Sequence, residues 1–525
     1  MQKKLFDWQE ECLRIWFDNK CRGIVNVVTG AGKTVLALAA ISRLESGSGD
    51  ADSGVRYKIV VPKVFLVRQW KRALMEELGV SAEQIGCYYG AHKDIPNRKF
   101  MIYVINSARY SLARHILLDY SQGFSVFLIA DECHHYGSKE NFKIFDFFPL
   151  IAGTPHNYYS LGLSATPGTP LCDETLTSVL GREIYKYNIS DALESDIICD
   201  FAVFNVKLDF SVEEKLDYDD YSDKIAKLYL KMTNLIPGIA ELPAELFFAE
   251  ARRLAGAGDS EASDTAEAFL SLVRKRTELV HFASARRACA RELVKSLRND
   301  AKIIIFGERI EMADNIYGDL CELYPGQVGK YHSLMSGPEK KNVLYRYQNS
   351  EIRILVSCRA LDEGLNVPET DVGIVVSSTQ TDRQRIQRLG RILRRKAAGY
   401  SSKLYYLYLL DSNEYKEFLN MSPEGVDKIS AYDMSFNSDT SAFSFPEYEN
   451  SSEKALEKIS GEASGPQIIS ELKKNIEIGL INGDFLMTEE NCRVKIKASA
   501  STRERNYYIT MLYVIQERRR LKKVD

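Results

Sequence analysis

Six residues early in the chain, Thr29-Gly30-Ala31-Gly32-Lys33-Thr34, have the types and spacing to bind phosphate. Glycines let backbone N–H groups turn toward phosphate oxygens, and a helix starting behind them adds its positive dipole end. Lys33 would reach the β- and γ-phosphates of a nucleotide, and the Thr34 hydroxyl would hold Mg²⁺. The longer G-x-x-x-x-G-K-[ST] pattern wants its first glycine at Val27 and lacks it. On these residues alone, an ordinary strand–turn–helix is the competing reading. Asp131-Glu132-Cys133-His134-His135 offers two adjacent carboxylates. Asp131 would hold Mg²⁺ through water, and Glu132 would polarise an attacking water. A metal site built from Cys133, His134 and His135 is the weaker rival, because adjacent residues rarely converge on one ion. In Arg383 to Arg395, a helix would place Gln387, Arg391 and Arg394 on one face. Ile386, Leu389 and Leu393 would back them, which suits arginines held for phosphate; a solvated basic face is the alternative. Gln9 carries an amide that donates and accepts at once, as reading an adenine edge requires.

These residues sit at the joints of a strand–helix alternation. The β-branched run Ile24 to Val28 leads into the glycine-containing turn, and the helical run Val35 to Leu44 leads out. Gln9 lies in an amphipathic first helix whose Leu5, Trp8, Cys12 and Ile15 form a core stripe. Ser46 to Gly54 reads as a surface loop. Tyr57 to Val61 is a strand closed by Pro62, followed by a helix, Phe65 to Leu78, that carries Arg68, Lys71 and Arg72. Those charges either contact a nucleic-acid backbone or are simply solvated. Further strands are Phe100–Ile105, Phe124–Ala130 and Tyr159–Leu163, the last leading to Ser164-Ala165-Thr166-Pro167. Alternation through residue 200 predicts a parallel sheet with helices on both faces. Residues 211–300 read as a helical insertion. Strands return at Lys302–Phe306, Arg353–Ser357 and Val372–Ser377.

Composition bounds the class. With 45% apolar and 27% charged residues in 525, the chain reads as a globular protein of several domains. No apolar run is long enough to span a membrane, and the opening MQKKLFDWQEE is not a secretory signal. Ten cysteines without a C-x-x-C pair fit reduced thiols and a cytoplasmic location. A net charge of −3 leaves nucleic-acid binding open, because a positive cleft can sit in a near-neutral chain.

Taken in order, Gln9, TGAGKT, PKVFLVRQW, DECH, SATP, IIIFGERIE, SCRALDEGLNVP and QRIQRLGRILR resemble the motifs of a superfamily 2 DExH-box helicase, XPB-like or RadD-like. The resemblance covers roughly residues 1–420. It implies an α/β fold of two tandem RecA-like parallel-sheet lobes with ATP between them. The expected division is a first lobe over 1–205, a helical insertion over 206–298, a second lobe over 299–425 and a C-terminal extension over 426–525. The resemblance places Gly364 near the ribose, with Arg391 and Arg394 on the γ-phosphate. It lets Ser164 and Thr166 couple lobe closure to strand contacts, and it implies 3′→5′ polarity on DNA. Asn366 departs from the Asp that many relatives carry. The expected activity is ATP-driven movement along nucleic acid, DNA before RNA. The alternative is an ATP-using recognition subunit that recruits an effector through residues 430–525. In that last segment, Ser435–Gly465 is Ser/Glu-rich and reads as loop or partly disordered chain, Pro466–Phe485 as helix then turn, and Arg493–Lys497 as a short strand. The run Glu517 to Lys523 reads as either a solvated helix end or a nucleic-acid or partner contact.

Overall fold

The computed structural model describes the chain except residues 1–3, 29, 48–53, 152–157, 165–175, 189–190, 193–194, 196–200, 259, 359–369, 378–401, 415–430, 461–465 and 522–525. Two eight-stranded sheets organise it. The first contains β1 (Arg22–Val27), β2 (Val55–Val61), β3 (Ile85–Tyr89), β4 (His92–Lys93), β5 (Phe100–Val104), β6 (Ser125–Asp131), β7 (Tyr158–Ser164) and β8 (Glu183–Tyr187). Their order is β4-β3-β5-β2-β6-β7-β1-β8. All pairs are parallel except β3–β4. Parallel strands need crossovers, and helices α1 (Asp7–Asp18), α2 (Lys33–Gly47) and α3 (Val64–Leu78) are among the covering elements.

Strand β6 shows why this sheet is internal. All seven of its residues are buried. Val126, Leu128 and Ala130 join the core on one face, and Phe127 and Ile129 join Trp16 and Trp70 on the other. A strand covered on both faces needs apolar residues at successive positions, not at alternate ones. In register, Asn26 of β1 lies beside Ser164 of β7, and Asp131 of β6 beside Leu163. The C-terminal ends of β1, β6 and β7 therefore meet on one edge, the usual place for ligands in open α/β sheets.

One charged cluster interrupts that core. Lys58 of β2 pairs with Asp119 at 2.5 Å, with both side chains buried. His115 lies beside it, its Nδ1 3.0 Å from the Tyr103 hydroxyl. Burial first, then the positive charges of Lys58 and Arg114, hold the His115 imidazole down at about 4. Its unfolded value is near 6.5. The unfolded chain therefore takes up the proton first as pH falls. The stability tied to neutral His115 is complete above pH 6.5 and is lost as pH drops through 4. The thermal midpoint of His115→Gln is expected to fall less steeply than that of wild type between pH 6.5 and 4.5; parallel curves would contradict this.

The second sheet contains β9 (Phe201–Leu208), β10 (Ile303–Gly307), β11 (Val328–Tyr331), β12 (Ile354–Cys358), β13 (Val372–Val375), β14 (Ser402–Leu409), β15 (Ala431–Asn437) and β16 (Ala442–Ser444). Its order is β11-β12-β10-β13-β14-β9-β15-β16. Strand β9 is thus part of the second sheet, paired along eight positions with β14. A boundary at 205/206 would cut through it. Local pattern marks a strand; only pairing tells which sheet it joins. The helical insertion is likewise smaller than 206–298. Helices Val212–Leu235, Ala244–Ala255 and Glu261–Phe282 share a core of their own around Met232, Phe247 and Phe269. The helix Ser284–Ser296 instead delivers Cys289, Ala290, Leu293 and Val294 to the second sheet's core.

The C-terminal region is built into the second lobe. β15 pairs with β9 and alternates inward with Tyr432, Met434 and Phe436. Up to Ser460 the stretch Ser435–Gly465 is therefore not loop: it continues β15, adds β16, and contains the helix Glu449–Ser460, while residues 461–465 lie outside the described residues. Its Ser/Glu-rich composition hid an alternating apolar strand. Arg493–Lys497 lies inside the helix Glu489–Ala498, not in a strand. Thr488 caps that helix, its hydroxyl accepting from Asn491 N, while Cys492 is buried beneath it. The period-two alternation Arg-Val-Lys-Ile-Lys imitates a strand there, but Val494 is 59% exposed. Pro466–Phe485 is helix followed by a turn, as its pattern indicates.

Candidate active site

The phosphate loop leaves β1 at Val27, and α2 starts at Lys33. Gly30 (φ 95°) and Gly32 (φ 103°) adopt the left-handed backbone that the turn requires. A Cβ on Gly32 would lie 2.8 Å from Gln9 Nε2. That close approach explains the glycine: Gln9 Nε2 donates to Gly32 O at 3.1 Å, and Gln9 Oε1 accepts from Phe6 N at 2.9 Å. Gln9 is buried and braces the loop. Ala31 is also buried, and Thr34 is half-buried one position into α2. The first turn of a helix such as α2 has backbone N–H groups without intrahelical partners, which suits an anion.

Asp131 and Glu132 follow β6 on the same edge. Glu132 sits at φ 50°, ψ 51°, a left-handed conformation that costs a non-glycine residue roughly 1–3 kcal/mol. The turn brings its Oε1 to 3.3 Å from Lys33 Nζ. Its Oε2 is buried, 3.6 Å from His134 Nδ1, and takes no hydrogen bond from the described residues. His134 Nδ1 is 2.8 Å from the Ser164 hydroxyl, linking the DECH stretch to the end of β7. Asp131 is held more tightly. Trp70 Nε1 of α3 donates to Asp131 Oδ2 at 2.8 Å. The Tyr136 hydroxyl lies 2.7 Å from Asp131 O and 3.0 Å from Val60 O, so its proton is shared between β6 and β2. Burial first, then the charge on Glu132, raises the Asp131 carboxyl to about 6.

Lys33, Thr34, Asp131 and Glu132 are thus gathered at the ends of β1 and β6, with Gln9 beneath the loop. Thr29, Gly364, Gln387, Arg391 and Arg394 lie outside the described residues, as do Thr166 and Asn366. Trp70 and Tyr136 were missed from sequence. Trp70 falls inside PKVFLVRQW, where the charges drew attention, and a buried aromatic reads as packing. The Cys133/His134/His135 metal reading gains no support. Cys133 is a buried thiol whose pKa burial raises, and no metal-holding cluster of His, Cys, Asp or Glu occurs among the described residues.

Several basic residues prove to be fasteners. Arg286 is fully buried, donates to Val280 O (2.8 Å), Leu407 O (3.1 Å) and Val376 O, and pairs with Glu414. Arg276 lies over the Tyr218 ring and reaches the Ser222 hydroxyl at 3.3 Å. In the tail, Arg518 lies 5.4 Å from the Tyr448 and Phe485 rings, and Arg519 bonds Glu489 at 2.7 Å. Arg518 thus spends its charge internally, whereas Arg519 and Arg520 stay 60% and 78% exposed. The outer face of α3 keeps Arg68 and Arg72 exposed, Arg72 beside Glu76. No helix among the described residues is long and apolar enough to cross a membrane.

Comparison with known proteins agrees with the two-sheet fold. The family described as type III restriction enzyme, res subunit, matches residues 2–169, and the helicase conserved C-terminal domain matches residues 285–396. The DNA 3′-5′ translocase XPB2 of Sulfurisphaera tokodaii is 28% identical over 75% of this chain and 79% of its own length. The DNA 3′-5′ helicase XPB of Kineococcus radiotolerans is 24% identical over 76% of this chain. The match spans 58% of that relative, little more than half. Among solved structures, the Pyrococcus furiosus Hef helicase domain has a TM-score of 0.50 at 17% identity, covering 79% of this chain and 97% of that one. The helicase MrfA bound to DNA has a TM-score of 0.54 at 14% identity, covering 82% and 52%. At such identities the two structures speak for the fold alone.

Proposed function

We propose that this chain, whose domains and relatives support an XPB-like superfamily 2 helicase, hydrolyses ATP at the β1–β6 edge to move along DNA. One observation carries the reading: Lys33 Nζ stands 3.3 Å from Glu132 Oε1, beside the buried Asp131, at the meeting strand ends of an open parallel sheet. Lys33 is placed to move from Glu132 to the β- and γ-phosphates when nucleotide enters. Glu132, relieved of that partner, is placed to accept a proton from the attacking water. Its unbonded Oε2 offers a second acceptor. Thr34 and Asp131 would hold a Mg²⁺ ion: Thr34 lies in the first turn of α2, and Asp131, which feels the charge of Lys33, has one oxygen fixed by Trp70. Mg²⁺ there would neutralise charge on the phosphate oxygens.

Gln9 braces the phosphate loop, and its remaining N–H and lone pair suit an adenine edge. Gly364 and Gln387, with Arg391 and Arg394 as γ-phosphate contacts, are assigned to the second lobe's side of the nucleotide by their motifs. The His134–Ser164 contact gives a route from the carboxylate turn to β7, where strand contact would be felt. The names of the relatives support DNA as the track and 3′→5′ as the direction. Backbone contacts carry no sequence information, so little sequence preference and strong salt dependence are expected. The alternative, effector recruitment through residues 430–525, is weakened because that region is a structural part of the second lobe.

The test is ATP hydrolysis with no polymer, single-stranded DNA, duplex DNA and RNA, for wild type and Glu132→Gln. Stimulation by DNA, with turnover lowered about 10²–10⁴-fold in the variant, is the expected result. A flat response to every polymer would overturn the motor reading.

A further inference from the structure

Trp70 is one of the largest fully buried side chains in the molecule. An indole has one donor and no acceptor, and a buried one needs a partner. Most of the surroundings of Trp70 are apolar: it packs in the core with Leu66, Val67 and Leu74 of its own helix and Phe127 of β6. Its N–H nevertheless ends on a carboxylate, Asp131 Oδ2, at 2.8 Å. A hydrogen bond to an ionised oxygen is among the stronger ones. It ties one oxygen of the carboxylate to the core side of α3. The backbone of the same residue is held by Tyr136, through a proton shared with Val60. Asp131 is thus clamped at side chain and main chain by two aromatic residues that the packed core cannot release.

We propose that Trp70 is a positioning residue: its indole N–H presets the Asp131 carboxylate for the metal that accompanies nucleotide. The inference rests on the assignment of Asp131 to Mg²⁺. Outer partners that orient ligating groups typically change metal affinity by about 10–100-fold when removed. A Trp70 that only packed would affect stability and leave metal dependence alone.

The experiment measures binding without turnover. The affinity of the full chain for N-methylanthraniloyl-ADP is followed by fluorescence as MgCl₂ is titrated. For Trp70→Phe, which keeps an aromatic ring and lacks the N–H, the Mg²⁺ midpoint is expected to rise about tenfold. Affinity in EDTA and at saturating Mg²⁺ is expected to stay near wild type. A folded Trp70→Phe with the wild-type midpoint would overturn the proposal. Should that variant lose its thermal transition, Trp70→3-benzothienylalanine keeps the outline of the indole and removes the donor, and the same criterion applies. Asp131→Asn separates the two layers. If it leaves the Mg²⁺ midpoint unchanged, the metal assignment itself fails; if it shifts the midpoint and Trp70→Phe does not, only the role of Trp70 fails.

Discussion

Replacing Lys33 by alanine is expected to lower ATP turnover about 10²–10³-fold while the chain stays folded. Lys33 is buried to 9% exposure at the first position of α2, and its visible partner is the carboxylate of Glu132. Little of the core depends on it. Its removal leaves Glu132 with less positive charge nearby and takes from the phosphate site a cation that no backbone N–H replaces. The thermal midpoint of the variant is expected within a few degrees of wild type, so that lost turnover is not lost structure. Normal turnover in a folded Lys33→Ala protein would remove the phosphate-loop assignment, and with it the premise for Asp131 and Glu132.

Deleting residues 430–525 is expected to unfold the second lobe. The cut removes β15 and β16 and leaves the long strand β9 with an open edge. It also strips Tyr432, Met434, Phe436, Phe485, Met511, Val514 and Ile515 from the core. Burial of such side chains stabilises by roughly 1.5–3 kcal/mol each, so their loss matches or exceeds the about 5–15 kcal/mol by which a domain is stable. Polar fasteners go with them. Asp484 accepts two hydrogen bonds from Arg298 at 2.7 and 2.8 Å and one from Tyr507 at 2.6 Å, and Asn482 donates to Ser296 O at 2.8 Å. Limited proteolysis and hydrogen exchange of the truncated chain should show strands β9–β14 losing protection while β1–β8 keep theirs. A truncated chain with a protected second sheet and wild-type turnover would mean that the region is an appendage. Loss of a co-purifying protein on truncation is therefore not enough to identify a recruiting tail.

The residues of the proposed nucleotide edge stood out in the sequence because their pattern is local. A glycine-containing turn before a helix, and a double carboxylate after an apolar run, need only neighbouring residues to be recognised, and TGAGKT and DECH supply them. The parallel sheets were legible for a similar reason: strands buried on both faces must be apolar throughout, as β6 is. What sequence could not settle was decided by pairing and by reach. Phe201–Leu208 looks like any other strand at the end of the first lobe, and only its hydrogen bonds to β14 and β15 place it in the second sheet. Residues 430–525 carry no chemical motif, yet they complete a core whose other members run from Ala202 to Leu409. Sequence shows Arg286, Arg276 and Arg518 only as positive charges; tertiary structure sets them on buried carbonyls and aromatic faces. Gln9 and Gly32 meet across 23 residues, and Trp70 and Asp131 across 61. Such contacts come from the folded arrangement of α1, α3 and β6, because a side chain's type states what it can bond and only the fold states what lies within reach.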